Sequence, residues 1–368
     1  MKRIQSLLLV ALLALFAAGC GSPSSDKALT VILTEPTVGN LNTIRFLTER
    51  KIFDVPENTK YICVYHPSQR SRFDRTERYI TENDLSDFIL QRVEGELNEE
   101  NLFVVNGCTD TFRELFSQSD GIIFFGGPDI PPSVFGEENT LSVVTDSGRH
   151  YFELSFLFHL LGSSRNSDFV PLLEEKPDYL VTGFCLGMQT MNIATGGSLY
   201  QDIPADIYGI TTPEEKVAMG QENLHRNYWQ RITRDSLFMS NSFHSIQFTD
   251  HSFFGKTISL SKDLRPLIYS SHHQSVKAIG KGFEVTALSS DGKVIEGIAH
   301  STYPNVFAVQ FHPEVTSLYE DRAVRRFAPT DKPRTYHQII EGESLEFHLA
   351  YWKHISESLK DSGKKGRR

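Results

Sequence analysis

Cys185 sits in Tyr179-Leu-Val-Thr-Gly-Phe-Cys-Leu-Gly-Met-Gln189. The apolar run before it reads as a strand, and the stretch after it as a helix. Gly183 and Gly187 flank the cysteine at two residues on each side, the small-x-nucleophile-x-small spacing of a nucleophile elbow. Such a turn holds strained backbone angles, so its neighbours must be small. It lifts the sulfur out of the fold at the carboxyl end of a strand and sets it at a helix N-terminus, where the dipole favours a thiolate. Taken alone, the same residues also fit a buried core cysteine beside a turn. A second segment favours the chemical reading. Val306-Phe-Ala-Val-Gln-Phe-His-Pro-Glu314 is an apolar strand ending in His312, with Glu314 two residues on. A histidine at a strand end can take the thiol proton, and a nearby carboxylate can hold its ring in the right tautomer. Together these residues suit attack on an amide carbonyl through a thioester.

At these residues the chain resembles the class I glutamine amidotransferase-like superfamily. Within it, the chain is similar to the γ-glutamyl hydrolases, the branch that includes γ-glutamyl-γ-aminobutyrate hydrolase. Three further stretches carry the resemblance, which runs from about residue 60 to about residue 316. Gly121 to Glu137, with Gly126-Gly127 and Asp129, resembles the glycine-rich oxyanion strand. Gln189 to Ile203 resembles the helix after the elbow. Ser271-His-His-Gln-Ser-Val-Lys277 resembles the His-His-Gln segment. The resemblance implies a small γ-glutamyl amide as substrate, Cys185 as nucleophile, His312 as base and Glu314 as its orienter. It implies substrate contacts from Asp129, Gln189, His273 and Gln274. The N–H of Leu186, at a helix start, and that of Gly127 are the candidate oxyanion donors. Leu186 stands where many of the branch carry arginine, which bears on substrate class more than on mechanism. The chemistry requires no cofactor: no ATP, metal or flavin.

The elements that must position these residues alternate. Strands are expected at Leu29–Leu33, Tyr61–Tyr65, Leu102–Asn106, Gly121–Phe125 and Tyr179–Gly183. Helices are expected near Leu41–Lys51, Glu82–Leu97, Thr111–Ser117, Gly148–Leu161 and from the elbow to Ala194. After Tyr200 the period shifts toward two, with short strands at Trp229–Ile232, Ile246–Phe248, Gly282–Leu288, Val294–His300 and Phe307–His312. Repeated strand–helix units imply an α/β fold: a mostly parallel sheet flanked by helices, with sites at the carboxyl ends of strands and antiparallel additions in the C-terminal half. The resemblance gives the same fold, of the flavodoxin-like kind. Pro131–Ser147 and Thr211–Asn227 read as long loops, either lids or surface insertions.

Met1-Lys-Arg and the apolar run Leu7–Ala18 read as a leader too short for an ordinary span. Ala17-Ala-Gly-Cys20 resembles a bacterial lipobox, which implies removal of residues 1–19 and lipid attachment at Cys20; an ordinary signal peptide is the alternative. Residues 20–28 form a tether, in which the polar, flexible stretch Gly21-Ser-Pro-Ser-Ser-Asp26 reaches at most about 25 Å at roughly 3.4 Å per residue. Residues 29–320 are expected to form the catalytic domain, and 321–368 a helical extension with a basic tail. The expected location is the cell envelope, periplasmic or at the outer membrane. The formal charge of the 368 residues is −9, and more negative still without Lys2 and Arg3. That argues against a nucleic-acid partner. Cys63 and Cys108 are expected as free buried thiols, although export would permit a bridge. No Cys/His spacing suggests zinc, and adjacent His272 and His273 face opposite ways if they lie on a strand. Two other readings stay open: a different envelope cysteine amidohydrolase acting on γ-glutamyl bonds of cell-wall peptides, and a non-catalytic binding lipoprotein. Oligomeric state is not legible.

Overall fold

A computed structural model describes residues 28–365. The leader, Cys20, the tether through Lys27 and the end of the basic tail lie outside the described residues. In chain order the first half gives β1 (Thr30–Thr34), α1 (Val38–Glu49), β2 (Lys60–Tyr65), α2 (Phe73–Glu82), β3 (Phe88–Arg92), α3 (Thr109–Gln118), β4 (Gly121–Phe124), α4 (Ser147–Leu161), β5 (Leu180–Phe184) and α5 (Leu186–Ala194). The second half gives β6 (Ser198–Tyr200), α6 (Ile203–Tyr208), α7 (Pro213–Ala218), β7 (Ser242–Phe248), β8 (Leu267–Ser270), β9 (Ser275–Ala278), β10 (Phe283–Ser289), β11 (Ile295–His300), β12 (Val306–Val309), α8 (Tyr336–Ile339) and α9 (Glu343–Lys365).

Ten strands form one sheet in the order β3-β2-β1-β4-β5-β12-β11-β10-β7-β8. Pairing is parallel from β3 through to β12 and antiparallel from β12 to β8. The parallel run β3-β2-β1-β4-β5-β12 is doubly wound, with one strand more on the β2 side than the 2-1-3-4-5 order of flavodoxin. The central strands are apolar at nearly every position because both faces are covered. Ile32, Ile62, Val64, Ile122, Phe124 and Val181 point into one core, with α3, α4 and α5. Val31, Leu33, Tyr61, Cys63, Ile123, Leu180 and Phe184 point into the other, with α1 and α9. Each fully buried large apolar side chain contributes roughly 1.5–3 kcal/mol. The helix α9 carries Phe347, Tyr351, Trp352, Ile355 and Leu359 into that second core, all fully buried.

Three sequence expectations are corrected. Glu82–Leu97 is not a helix: α2 ends at Glu82, Asp84 takes a left-handed φ of 51°, and the chain returns as β3 beside β2. The spacing of Leu85, Phe88 and Val93 is helical, but Phe88 stacks on Tyr61 at 4.7 Å across the strand pair, which outweighs local period. Leu102–Asn106 is not a strand; Leu102 is buried, while Val104 and Val105 are exposed. Trp229–Ile232 begins as a 3-10 turn instead of a strand, because the Asn227 side chain accepts from the Trp229 N–H at 2.9 Å. The strands β6, β8 and β9 were not anticipated, being three or four residues long.

Cys63 and Cys108 are free thiols. They belong to the two different cores, on opposite faces of the sheet. Burial, then the Asp87 charge, pushes the Cys63 thiol up to about 12. Burial, then Glu94, pushes that of Cys108 up to about 11.

Candidate active site

The elbow forms as its spacing requires. Cys185 follows β5 directly and caps α5 with φ 53° and ψ −105°, a strained conformation for a residue with a side chain. A Cβ on Gly183 would lie 2.9 Å from the Gly187 backbone, and one on Gly187 would lie 2.5 Å from the Phe124 carbonyl oxygen. Strand, turn and helix therefore pack at a distance only glycine allows. Parallel pairing sets Phe184 against Val309 of β12 and Phe124 of β4 against Gly183. The ends of β4, β5 and β12 thus lie side by side, and they bring Gly126-Gly127, Cys185 and His312 together. A Cβ on Gly126 would touch both side chains of this group, 2.7 Å from His312 Cε1 and 3.5 Å from Cys185 Cβ.

His312 stands beside Cys185 at the strand ends and is hydrogen-bonded through Nδ1 to Glu314 Oε1 at 2.7 Å. Burial alone would lower the His312 ring. The Glu314 charge, the sulfur of Cys185 and the bond to Glu314 hold it well above its ordinary value. The loop between them is fixed from outside the sheet. The Pro313 carbonyl accepts from Trp352 Nε1 of α9 at 2.9 Å and from the Tyr319 hydroxyl at 2.6 Å. The His312 N–H donates to the Tyr269 carbonyl of β8 at 3.0 Å. Sequence reasoning assigned no role to Trp352 beyond an ordinary helix face.

Leu186 opens α5, so its N–H has no acceptor within the helix, and Gly127 lines the cleft beside Cys185. The Gly126 region is held by Arg149 of α4, which sequence reasoning missed. Its Nη2 donates to the carbonyls of Phe125 at 2.9 Å and Gly126 at 3.1 Å. The guanidinium is buried and paired with Glu153 at 3.0 Å and Glu35 at 3.7 Å. An Arg–Glu pair four residues apart inside a Phe- and Leu-rich helix was the available signal.

A cleft of about 540 Å³ opens on Cys185, with Gly127, Asp129, Gln189, His273 and Gln274 among its lining. All four residues expected to contact substrate are thus brought together, but their polar atoms largely serve one another. His273 lies between Asp129 at 2.9 Å and Asp202 at 3.2 Å. Burial lowers its ring, but the two carboxylates raise it above its ordinary value. Gln189 Nε2 donates to Gln310 Oε1 at 3.2 Å and to the Gln274 carbonyl at 3.3 Å. Gln274 Nε2 donates to Ser142 Oγ at 2.7 Å. The two segments expected as long loops wall the cleft, one through Leu141, Val143 and Thr145, the other, which folds in part as α7, through Lys216 and Arg226. Arg231 and Tyr228 complete the basic wall, which nothing in the motifs announced. Such an arrangement can bring a carboxylate-bearing amide to a thiol with an adjacent acid–base pair.

The Peptidase C26 family model matches residues 101–314. YvdE of Lactococcus lactis, named as glutamine amidotransferase-like, is 28% identical over 209 residues, 56% of this chain and 71% of its own. Protein NtpR of Enterococcus hirae is 29% identical over 211 residues, again 56% of this chain and 71% of its own. A Rickettsia prowazekii protein, also named as glutamine amidotransferase-like, is 24% identical over 223 residues, 56% of this chain and 74% of its own.

Proposed function

From the premise that this chain belongs to the Peptidase C26 family, we propose that it is a cysteine-dependent hydrolase of γ-glutamyl amide bonds. The observation that carries the reading is Cys185 on its strained elbow, beside a His312 that is hydrogen-bonded to Glu314, at the mouth of a cleft with Arg226 and Arg231 in its wall. The basic wall suits the α-carboxylate of a glutamyl group. The Cys185 thiolate adds to the γ-carbonyl carbon while His312 holds the proton. The N–H groups of Leu186 and Gly127 receive the oxyanion. The intermediate then collapses to a thioester as the C–N bond breaks, and His312 gives its proton to the leaving amine. His312 next takes a proton from water, whose oxygen adds to the thioester. Collapse releases the γ-carboxylic acid, which loses its proton to solvent, and returns the thiolate beside its imidazolium.

The test offers the purified protein γ-glutamyl amides, polyglutamylated folate, peptidoglycan fragments and the corresponding α-linked peptides, and identifies products by mass. Release of amine from γ-linked substrates alone is the expected result. Cleavage of α-linked peptides, or of none of the panel, overturns the assignment. We further propose that the leader directs this activity to the envelope, on a chain that begins at Cys20 and carries a diacylglyceryl group there. The support for that is the apolar run and the Ala17-Ala-Gly-Cys20 site. Stable anchoring needs more than one acyl chain, as such a group supplies. Intact-mass measurement of full-length protein from a Gram-negative host checks it. A mature chain starting at Cys20 without lipid mass rules the anchor out and leaves the hydrolase reading untouched.

A further inference from the structure

Behind the cleft wall, which His272 itself helps to line, three histidines converge on one carboxylate. His244 comes from β7, Glu296 from β11, His225 from the segment after α7, and His272 from the β8–β9 connection. Glu296 Oε1 lies 3.0 Å from His225 Nδ1, 3.2 Å from His244 Nε2 and 3.8 Å from His272 Nε2. All four residues are buried, at 4% exposure or less. We propose that they bind a divalent transition-metal ion of the zinc class.

Spacing supports this. Around a tetrahedral ion with bonds of about 2.0–2.2 Å, neighbouring ligand atoms stand roughly 3.3 Å apart, within the range seen here. The donor atoms of His225, His244 and Glu296 all lie within 4.8 Å of one another. A plain hydrogen-bonded cluster explains the group less well. His244 Nε2 bonds Glu296 Oε1 at 3.2 Å. Both ring nitrogens of His225, His272 Nε2 and Glu296 Oε2 make no hydrogen bond of good geometry among the described residues. Buried polar atoms left so are costly. His272 sharpens the point. Its Nδ1 faces the Gln274 carbonyl at 2.7 Å, and a carbonyl can only accept, so Nδ1 carries a proton. In the neutral ring Nε2 then presents a lone pair toward the Glu296 carboxylate. A cation between lone pair and carboxylate resolves that conflict, and a ring held by a carbonyl on its far side is how metal-bound histidines are oriented.

Four protein ligands make a closed site, structural and not catalytic. The ion would tie the sheet to two segments that wall the cleft. Arg226 follows His225, and His273 follows His272; both line the cleft. The two segments already touch, with the His225 carbonyl accepting from the His272 N–H at 3.0 Å and from Ser270 Oγ at 2.8 Å. No local spacing announces the site, since its ligands are scattered from 225 to 296.

The test uses the full chain purified without chelator. Mass spectrometry of metals should find close to one zinc per chain. After stripping with a chelator, zinc should raise the melting temperature, and cobalt should give the visible spectrum of a four-coordinate ion. His225→Ala and His244→Ala should each weaken zinc at least about 100-fold, the upper end of what loss of even an outer partner costs. His273→Ala should retain it. Cys185→Ala should retain it too, which separates this site from metal caught by the catalytic thiol. Should the histidine variants not fold, the cobalt spectrum of wild type and Cys185→Ala decides. Wild type without bound zinc and without a zinc-dependent melting shift overturns the proposal. So does zinc lost in Cys185→Ala but kept in His225→Ala.

Discussion

At the scale of residues, the proposed function makes Cys185, His312 and Glu314 a unit, and their substitutions should behave so. Cys185→Ala and His312→Ala should each lower kcat by about 10⁴-fold or more, and the double variant by little beyond either. Glu314→Gln should cost less, because an amide oxygen can still accept from His312 Nδ1, now 2.7 Å from the carboxylate. Single-turnover kinetics on a γ-glutamyl amide measure all four. A Cys185→Ala enzyme retaining a tenth of wild-type rate would mean the thiol is not the nucleophile. Thiol labelling gives an independent reading. Burial holds the Cys63 and Cys108 thiols protonated at neutral pH, so iodoacetamide should label Cys185 first. Equal labelling of the three in folded protein would count against an activated sulfur.

At the scale of elements, the site depends on a helix that contributes no atom to it. The indole of Trp352 in α9 donates to Pro313 between the base and its orienter, and its ring packs 5.5 Å from Phe184 at the end of the elbow strand. Trp352→Phe preserves most of the ring packing and removes the donor, while Tyr319 still serves the same carbonyl. The expected cost is about 1 kcal/mol of stability, with kcat reduced several-fold and KM little changed. Denaturant titration and steady-state kinetics check it. An unchanged kcat would show that α9 only packs against the loop and does not aim it.

At the scale of the molecule, buried histidines set the acid limit of the fold. Burial, then the Arg149 charge, lowers His150 to about 3. Burial lowers His300, His348 and His354 to about 4. In the unfolded chain each titrates near 6.5. From about 6.5 down to about 4 the unfolded chain therefore binds more protons. Stability is full above that window and falls as pH drops through it, by up to about 1.4 kcal/mol per pH unit for each group. His312 and His273 are raised and act oppositely, losing their contribution as pH rises through their folded values, but the lowered rings, which also include His159, His225 and His272, outnumber them. His354 packs on Phe253 and Phe307, so His354→Phe should flatten the fall. Urea titrations at about pH 7 and about pH 4.5 test this; an identical loss in both proteins would exclude His354 as a contributor.

The elbow, its two glycines and the His-Pro-Glu strand end were legible from the chain because they rest on local sterics. A cysteine at positive φ needs small neighbours within two residues, and strand periodicity shows where a strand stops. The α/β alternation was legible for the same reason, down to the antiparallel C-terminal half. Register among distant segments was not. Parallel strands are joined by long crossovers, so only packing decides that β12 lies beside β5 and carries His312 to Cys185. The same non-local packing turned a helix-like stretch into β3 and buried Arg149 under the oxyanion loop. It also assembled the basic wall of the cleft and gathered His225, His244, His272 and Glu296 around one point. Charge and burial at such places belong to the folded surface, and no span of adjacent residues contains them.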